Sequence, residues 1–330
     1  MWDMKPLSVE VTRSELVESV HRVSVAVVDE RGNLLASSGD AHLVTFWRSA
    51  AKPFQALPFV QDGAMEAFQF GNLELALACA SHSSEPMHRD VCRQMLQRIG
   101  AGENELACGP HPLTTGSVAE EALRQGAPLT PVFSNCSGKH AAMLALCRHR
   151  RWNAQGYEKK GHVLQERILR EVCRWTQVPR TGISLGVDGC TAVCFALPLS
   201  AMAHAYARLG TSREPEATRV RAVMMDHPEY VGGQGRLCTE LMQAFPREVL
   251  AKVGAEGIYC ASLPERGLGI ALKVESGDGR AARVALLEVL QRLAPDAAWE
   301  PLGHHARIPI LNTRDEPVGE FRPAGELFFE

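Results

Sequence analysis

Hydrophobic positions along the chain change their spacing four times. Near the N-terminus Val23-Ser24-Val25-Ala26-Val27-Val28 is a β-branched run, followed by Asp29-Glu30-Arg31-Gly32-Asn33 and the returning Leu34-Leu35-Ala36. This pattern predicts two strands of a hairpin about a Gly/Asn turn. From roughly residue 50 to 250 the apolar positions recur with the helical period. That spacing predicts helices near Leu73 to Ala80, Met87 to Ile99, Val118 to Gln125, Lys139 to Arg148, Val163 to Trp175, Leu199 to Leu209 and Leu237 to Ala244. Strand-like spacing returns at Ile258 to Ser262 and Gly269 to Val274, then a helix near Ala281 to Leu293, then strands at Ile308 to Leu311 and Val318 to Phe321. The expected fold class is α/β: one sheet assembled from N- and C-terminal strands, with a long, mostly helical middle subdomain. Without an internal repeat or a linker, the 330 residues read as a single domain, with a sheet subdomain at about 1–45 plus 255–330 and a helical subdomain at about 46–254. Active sites favour the seam of such an arrangement.

Composition narrows the functions. Apolar residues make up 45% of the chain and charged ones 22%, the ordinary globular mix, which excludes a disordered or low-complexity role. A net charge of -3, from 35 basic and 38 acidic residues without long runs, argues against nucleic acid or a membrane as partner and favours a small ligand. The N-terminus has neither a basic n-region nor an apolar h-region, and no membrane-span-length apolar stretch occurs, so the protein is expected to be cytoplasmic, with its ten cysteines reduced. Only seven lysines occur against 28 arginines, which draws attention to each lysine.

Several segments carry candidate chemistry. In Arg48-Ser49-Ala50-Ala51-Lys52-Pro53, Ser49 and Lys52 stand one turn apart at a helix start, which Pro53 tolerates in a first turn. A serine hydroxyl becomes nucleophilic when a base takes its proton, and a desolvated lysine crowded by a cation such as Arg48 is a base of that kind. A helix N-cap serine beside a solvated lysine is the plain alternative. Cys79-Ala80-Ser81-His82-Ser83-Ser84-Glu85 brings hydroxyls, an imidazole and a carboxylate to the end of an apolar helix; capping by Ser84 accounts for part of it, but not for Ser81. A strand-like Pro131-Val132-Phe133 leads through Ser134-Asn135-Cys136-Ser137-Gly138 to a helix opening at Lys139, and Cys136 with Lys139 could bind a metal or form a nucleophile pair. Gly186-Val187-Asp188-Gly189-Cys190 is a strand running into a turn that exposes an acid and a thiol. Cys136 and Cys190 could supply two soft ligands, although no complete zinc signature is present. Met225-Asp226-His227-Pro228-Glu229-Tyr230-Val231-Gly232-Gly233 is a helix stopped by proline and a Gly-Gly pair flexible enough to close over a ligand, or a plain connection. Lys273, in Gly269-Ile270-Ala271-Leu272-Lys273-Val274, points away from Leu272 if the strand alternates, and burial there would lower its pKa; an edge-strand lysine is the alternative.

Together RSAAKPFQ, CASH, NCSGKH, GVDGC, HPEYVGG and GLGIALKVE resemble, in order and spacing, the Ser-Lys asparaginases of the thermolabile rhizobial type, over residues 21 to 275. The resemblance implies a fold similar to serine β-lactamases and penicillin-binding proteins, a homodimer, and hydrolysis of the small amino-acid amide L-asparagine to L-aspartate and ammonia. It implies that Ser49 and Lys52 are nucleophile and base and that Ser81 and Lys273 are a second Ser-Lys pair. Arg48, His140 and Asp188 then match the substrate pocket, and Cys136, Lys139 and Cys190 the ligands of a zinc ion. Two departures stand out: Ser84 replaces a glycine usual in the family, and Thr191-Ala192-Val193 replaces Gly-x-Pro. They put strict asparagine preference in question and leave a glutaminase or broader Ser-Lys amidohydrolase, a zinc-water amidohydrolase and a non-catalytic amino-acid sensor as alternatives.

Overall fold

The computed structural model describes residues 5–110, 126 and 128–330; the helix expected near Val118 to Gln125 lies outside the described residues. Contacts divide the chain into two compact units, one of Met1–Ala50, Leu197–Thr211 and Glu248–Glu330, the other of Ala51–Ala196 and Ser212–Arg247. In chain order the strands are β1 Ser8–Arg13, β2 Leu16–Asp29, β3 Leu34–Ser38, β4 Val44–Phe46, β5 Ser184–Val187, β6 Val193–Pro198, β7 Leu250–Val253, β8 Ile258–Leu263, β9 Leu268–Val274, β10 Ile308–Leu311, β11 Pro317–Ala324 and β12 Phe328–Phe329.

The first unit is built on an antiparallel sheet in the order β10-β11-β1-β2-β9-β8-β7, with β3 on β2 and β12 on β3. N- and C-terminal strands do share one sheet, as the spacing predicted. Val23 to Val28 of β2 are all buried, which requires cover on both faces, whereas Leu16 to Val20 are exposed. The helices Leu199–Thr211 and Gly279–Leu293 both pack on these strands. Glycine at 269 lets the first of them sit directly on β9: a Cβ there would lie 1.9 Å from the Ala203 carbonyl oxygen and 2.3 Å from the Ala207 nitrogen.

Helices dominate the second unit. Among the described residues before 180 its longer members are Lys52–Gln61, Asn72–Ala78, Pro86–Arg98, Ser137–Arg150 and Val163–Thr176. Ser137–Arg150 is central, and its residues from Ser137 to Cys147 are all buried. It opens at Ser137 rather than Lys139. The strand expected at Pro131-Val132-Phe133 is instead a single 3-10 turn. Pro131 supplies the fixed φ of a first helical position there. None of the described helices is long and apolar enough to cross a membrane.

Candidate active site

Ser49 lies in the 3-10 turn Arg48–Ala51, which runs into the helix opening at Lys52. Arg48 holds the left-handed backbone region at φ 53°, so the chain reverses immediately before the serine. Within the same unit the Tyr206 hydroxyl donates to the Ala50 carbonyl at 2.8 Å, and the Tyr206 ring meets buried Trp47 edge-on. Two large side chains therefore fix the turn that presents Ser49.

Lys52 opens the helix with Pro53 behind it, as the sequence predicts, and is 1% exposed. Its Nζ donates to the Ala80 carbonyl at 2.5 Å, meets Ser81 Oγ at 3.0 Å and reaches the Asn135 carbonyl at 3.4 Å. Among the described residues its hydrogen-bond partners are thus three oxygens, none of them a carboxylate. Two accept only, so in the amine form the two N–H bonds are taken and the lone pair is left for the Ser81 hydroxyl.

Ser81 follows the helix Asn72–Ala78 in a segment, Ser81 to Ser84, that is buried without regular structure. A buried loop must pair its polar groups individually. Here the segment containing Val231 and the two glycines supplies the partners. Ser81 N–H donates to the Val231 carbonyl at 2.9 Å and Ser83 Oγ to the Gly232 carbonyl at 3.1 Å, while the Gln234 amide donates to Glu85 Oε1 at 2.9 Å. A Cβ on Gly233 would lie 2.6 Å from Ser83 Oγ and 2.7 Å from Glu85 Oε1. The Gly-Gly pair is a place of close packing.

Cys136, Lys139 and Cys190 come together in this unit, all buried. Lys139 Nζ is 3.0 Å from Cys190 Sγ, and Cys136 Sγ lies 3.0 Å from Asn135 Oδ1. Hydrogen bonding from Cys136 holds the Cys190 thiol far below its ordinary range, against burial and with help from Lys139 and His140. The same bond and burial raise Cys136. Burial pulls Lys139 down, but Cys190, Cys136 and Asp188 outweigh it and hold the ammonium up. These directions favour a thiolate on Cys190 facing an ammonium on Lys139. His140 lies in the same helix, entirely buried, and burial lowers its pKa. The Tyr157 hydroxyl accepts from the Ala107 amide at 3.0 Å and is hydrogen-bonded to His140 Nδ1 at 2.7 Å. Two sulfurs, with the Lys139 amine once it has lost its proton, form a donor set whose softness fits zinc.

Asp188 ends β5 in a turn closed by Thr191 N–H on its carbonyl at 2.8 Å, while its carboxylate accepts from the Gly189 amide at 2.7 Å. Lys273 is half-buried on β9 and donates to the Glu256 and Val274 carbonyls, each at 2.6 Å. Burial lowers its pKa, with Glu256 and Glu275 opposing. Lys52, Ser81 and the Cys136–Lys139–Cys190 cluster belong to one unit; Arg48, Ser49 and Lys273 belong to the other. Asn135, Tyr157 and Cys108, whose buried thiol feels both Cys190 and Lys139, escaped the sequence reading. Only Asn135 carried a signal, through its place in the Asn-Cys-Ser-Gly-Lys-His run.

Both departures from the family pattern occupy left-handed backbone, Ser84 at φ 62° and Thr191 at φ 74°. Glycine is indifferent to that region, and a β-branched residue is strained there. Thr191 is exposed and gains a hydrogen bond to the Ala107 carbonyl. Thr191→Gly is expected to stabilise the protein by about 1 kcal/mol in urea denaturation, as released strain outweighs the exposed bond. Ser84 differs because its buried hydroxyl donates to the Phe133 carbonyl at 2.5 Å. Ser84→Gly should be close to neutral, whereas Ser84→Ala, which loses the bond and keeps the strain, should cost about 2 kcal/mol.

The model of the L-asparaginase II family matches residues 9–323, nearly the whole chain. The protein belongs to this family. Its Ser-Lys, rhizobial-type character accords with the motifs above. No curated protein matches the sequence. Among solved structures the chain is similar to Mglu, at 18% identity over 83% of this chain and 66% of that one, with a TM-score of 0.38. A β-lactamase from Mycobacterium bovis is similar at 12% identity over 82% and 94%, TM-score 0.33. Simvastatin synthase from Aspergillus terreus follows at 14% over 79% and 87%, TM-score 0.36. The chain spans from 59% to 66% of the length of the Mglu chains it matches.

Proposed function

We propose that this asparaginase-family protein hydrolyses the side-chain amide of L-asparagine through an ester on serine. The observation that carries the reading is the buried Lys52 amine, 3.0 Å from Ser81 Oγ and otherwise bonded to backbone carbonyls alone. In the proposed reaction Ser49 Oγ attacks the amide carbon and gives its proton to neutral Lys52, and the amide nitrogen leaves as ammonia after taking a proton back. Water then adds to the β-aspartyl ester and releases aspartate with the serine restored. Ser81 and Lys273 serve the proton transfers, Arg48 the α-carboxylate, Asp188 the α-ammonium, and His140 the pocket. Cys136, Lys139 and Cys190 would hold a zinc ion, which supplies a fixed positive charge that orders their segments and orients substrate. For that, Lys139 must lose its proton to solvent, which frees the nitrogen lone pair for the metal.

The 3.0 Å contact of Lys52 with Ser81 favours a second reading, in which Ser81 itself is acylated. Ammonia release from L-asparagine and L-glutamine by wild type, Ser49→Ala and Ser81→Ala separates the two. With Ser49 as nucleophile, Ser49→Ala loses about 10³-fold or more in kcat and Ser81→Ala about 10- to 100-fold. Near-normal turnover by Ser49→Ala would overturn the first reading, and an ester trapped on Ser81 would establish the second. Faster glutamine hydrolysis would make the protein a glutaminase. Loss of all turnover on chelation, with no serine ester, would assign the chemistry to metal-bound water. Asparagine binding without ammonia release would mark a sensor.

A further inference from the structure

Two histidines hold the loop that carries Ser81, and the proposed reaction gives neither a role. His82 and His88 are 1% and 0% exposed, and their rings stack at 4.9 Å between centroids with 13° between planes. Stacking of two imidazoles in a dry site tolerates little positive charge, since a pair of imidazolium rings at that distance repel.

The hydrogen bonds specify the protons. His82 Nδ1 accepts the Ser84 amide at 3.1 Å and His88 Nδ1 accepts the neighbouring Glu85 amide at 3.1 Å. An amide can only donate, so neither Nδ1 carries a hydrogen. His88 Nε2 faces the Glu229 carbonyl at 2.9 Å, which only accepts, so His88 is the neutral Nε2–H tautomer. His82 Nε2 meets Ser137 Oγ at 2.9 Å. These bonds fasten consecutive amides of a segment that has no helix or ladder of its own, three residues beyond the hydroxyl that Lys52 touches.

We propose that His82 and His88 are positioning residues: a stacked pair of neutral imidazoles that takes the Ser84 and Glu85 amides and thereby holds the Ser81 hydroxyl on the Lys52 amine. The inference rests on the reading of Lys52 and Ser81 as parts of one catalytic apparatus. The groups facing His88 are Glu85 and Glu229, which favour its charged form, Arg89, which opposes it, the stacked His82, and the Tyr230 ring edge-on. Beside His82, Ser137 also bonds the buried thiol of Cys92. Burial outweighs the two carboxylates and lowers the His88 pKa. The unfolded chain therefore takes up this proton first as pH falls, and the folded loop is progressively destabilised below about pH 6.5.

Three proteins test the proposal: wild type, His88→Asn and His88→Phe. An asparagine Oδ1 can replace Nδ1 as acceptor of the Glu85 amide but does not titrate; phenylalanine keeps the stack and leaves the amide bare. At pH 7.5 the nitrogen NMR spectrum of wild type should show both imidazoles neutral with the proton on Nε2. Between pH 7.5 and 5, wild-type kcat should fall at least about tenfold while exchange of the Ser84 and Glu85 amides accelerates. His88→Asn should keep kcat within about threefold at pH 7.5 and lose much of the acid-side fall, and His88→Phe should lose about tenfold in kcat with KM little changed. A charged or Nδ1–H imidazole at pH 7.5, an unaltered acid limb in His88→Asn, or wild-type kcat in His88→Phe would overturn the assignment. Tautomer and amide exchange need no substrate. Wild type inert toward every amide would therefore remove the proposed reaction while those two measurements still judged the clamp.

Discussion

Lys52→Met is expected to lower kcat for L-asparagine by about 10³-fold or more, with KM changed far less. Methionine matches the stem of lysine in volume, so the helix that begins at Lys52 keeps its packing. What disappears is the one nitrogen that touches Ser81 Oγ and the Ala80 and Asn135 carbonyls together. Those carbonyls lose a donor, at about 1–3 kcal/mol each if nothing replaces it, while the variant no longer buries an amine; the two effects oppose one another in stability. Lys52→Arg should not recover activity, because a guanidinium stays protonated and its planar fork cannot meet the three oxygens as a single nitrogen does. Rapid-mixing assays of ammonia release together with thermal unfolding separate the two effects. Full turnover by a folded Lys52→Met protein would remove the amine from the chemistry, whichever serine is the nucleophile.

Local signals made much of this architecture legible. Pro53 marked the helix that opens at Lys52, and the helical period located Ser137–Arg150, Val163–Thr176 and Leu237–Ala244 within a few residues. The hairpin of β2 and β3 was readable from its β-branched run and Gly32-Asn33 turn. Non-local partners left no such trace. The pairing of Ser8 with Ala324 in β1 and β11 joins opposite ends of the chain, and nothing at either position names the other. Lys52 meets Ser81 and Asn135 from segments separated by 29 and 83 residues. Residue chemistry singled out each motif, but only packing decides that the lysine nitrogen falls between them. Gly232-Gly233 shows the opposite error. A glycine pair has the same appearance whether it bends or admits a neighbour, and here Ser83 and Glu85 occupy the space a Cβ would take.

Gly138 makes that distinction quantitative. Its place in Asn-Cys-Ser-Gly-Lys-His reads as a glycine before a helix opening at Lys139, yet it lies inside the first turn of the helix Ser137–Arg150. A Cβ there would lie 2.4 Å from the Leu77 carbonyl oxygen and 2.5 Å from Leu77 Cγ. Leucine can change rotamer, but the carbonyl belongs to the helix Asn72–Ala78 and cannot yield without moving that helix and Ala80 and Ser81 beyond it. Gly138→Ala is therefore expected to destabilise the protein by about 3 kcal/mol in urea denaturation, although alanine has the higher helix propensity. Gly279→Ala is the matched control: a glycine at the start of the helix Gly279–Leu293, with nothing within 4 Å of its Cβ position, where the same substitution should stabilise by about 0.5–1 kcal/mol. The helix displaced by Gly138→Ala also carries Lys139, so the 3.0 Å contact with Cys190 should loosen and the buried Cys190 thiol should react faster with iodoacetamide than in wild type. Equal stability of the two variants would mean that the helices containing Leu77 and Gly138 do not meet backbone to backbone. The register that places Lys52 between Ser81 and Asn135 would then need another cause.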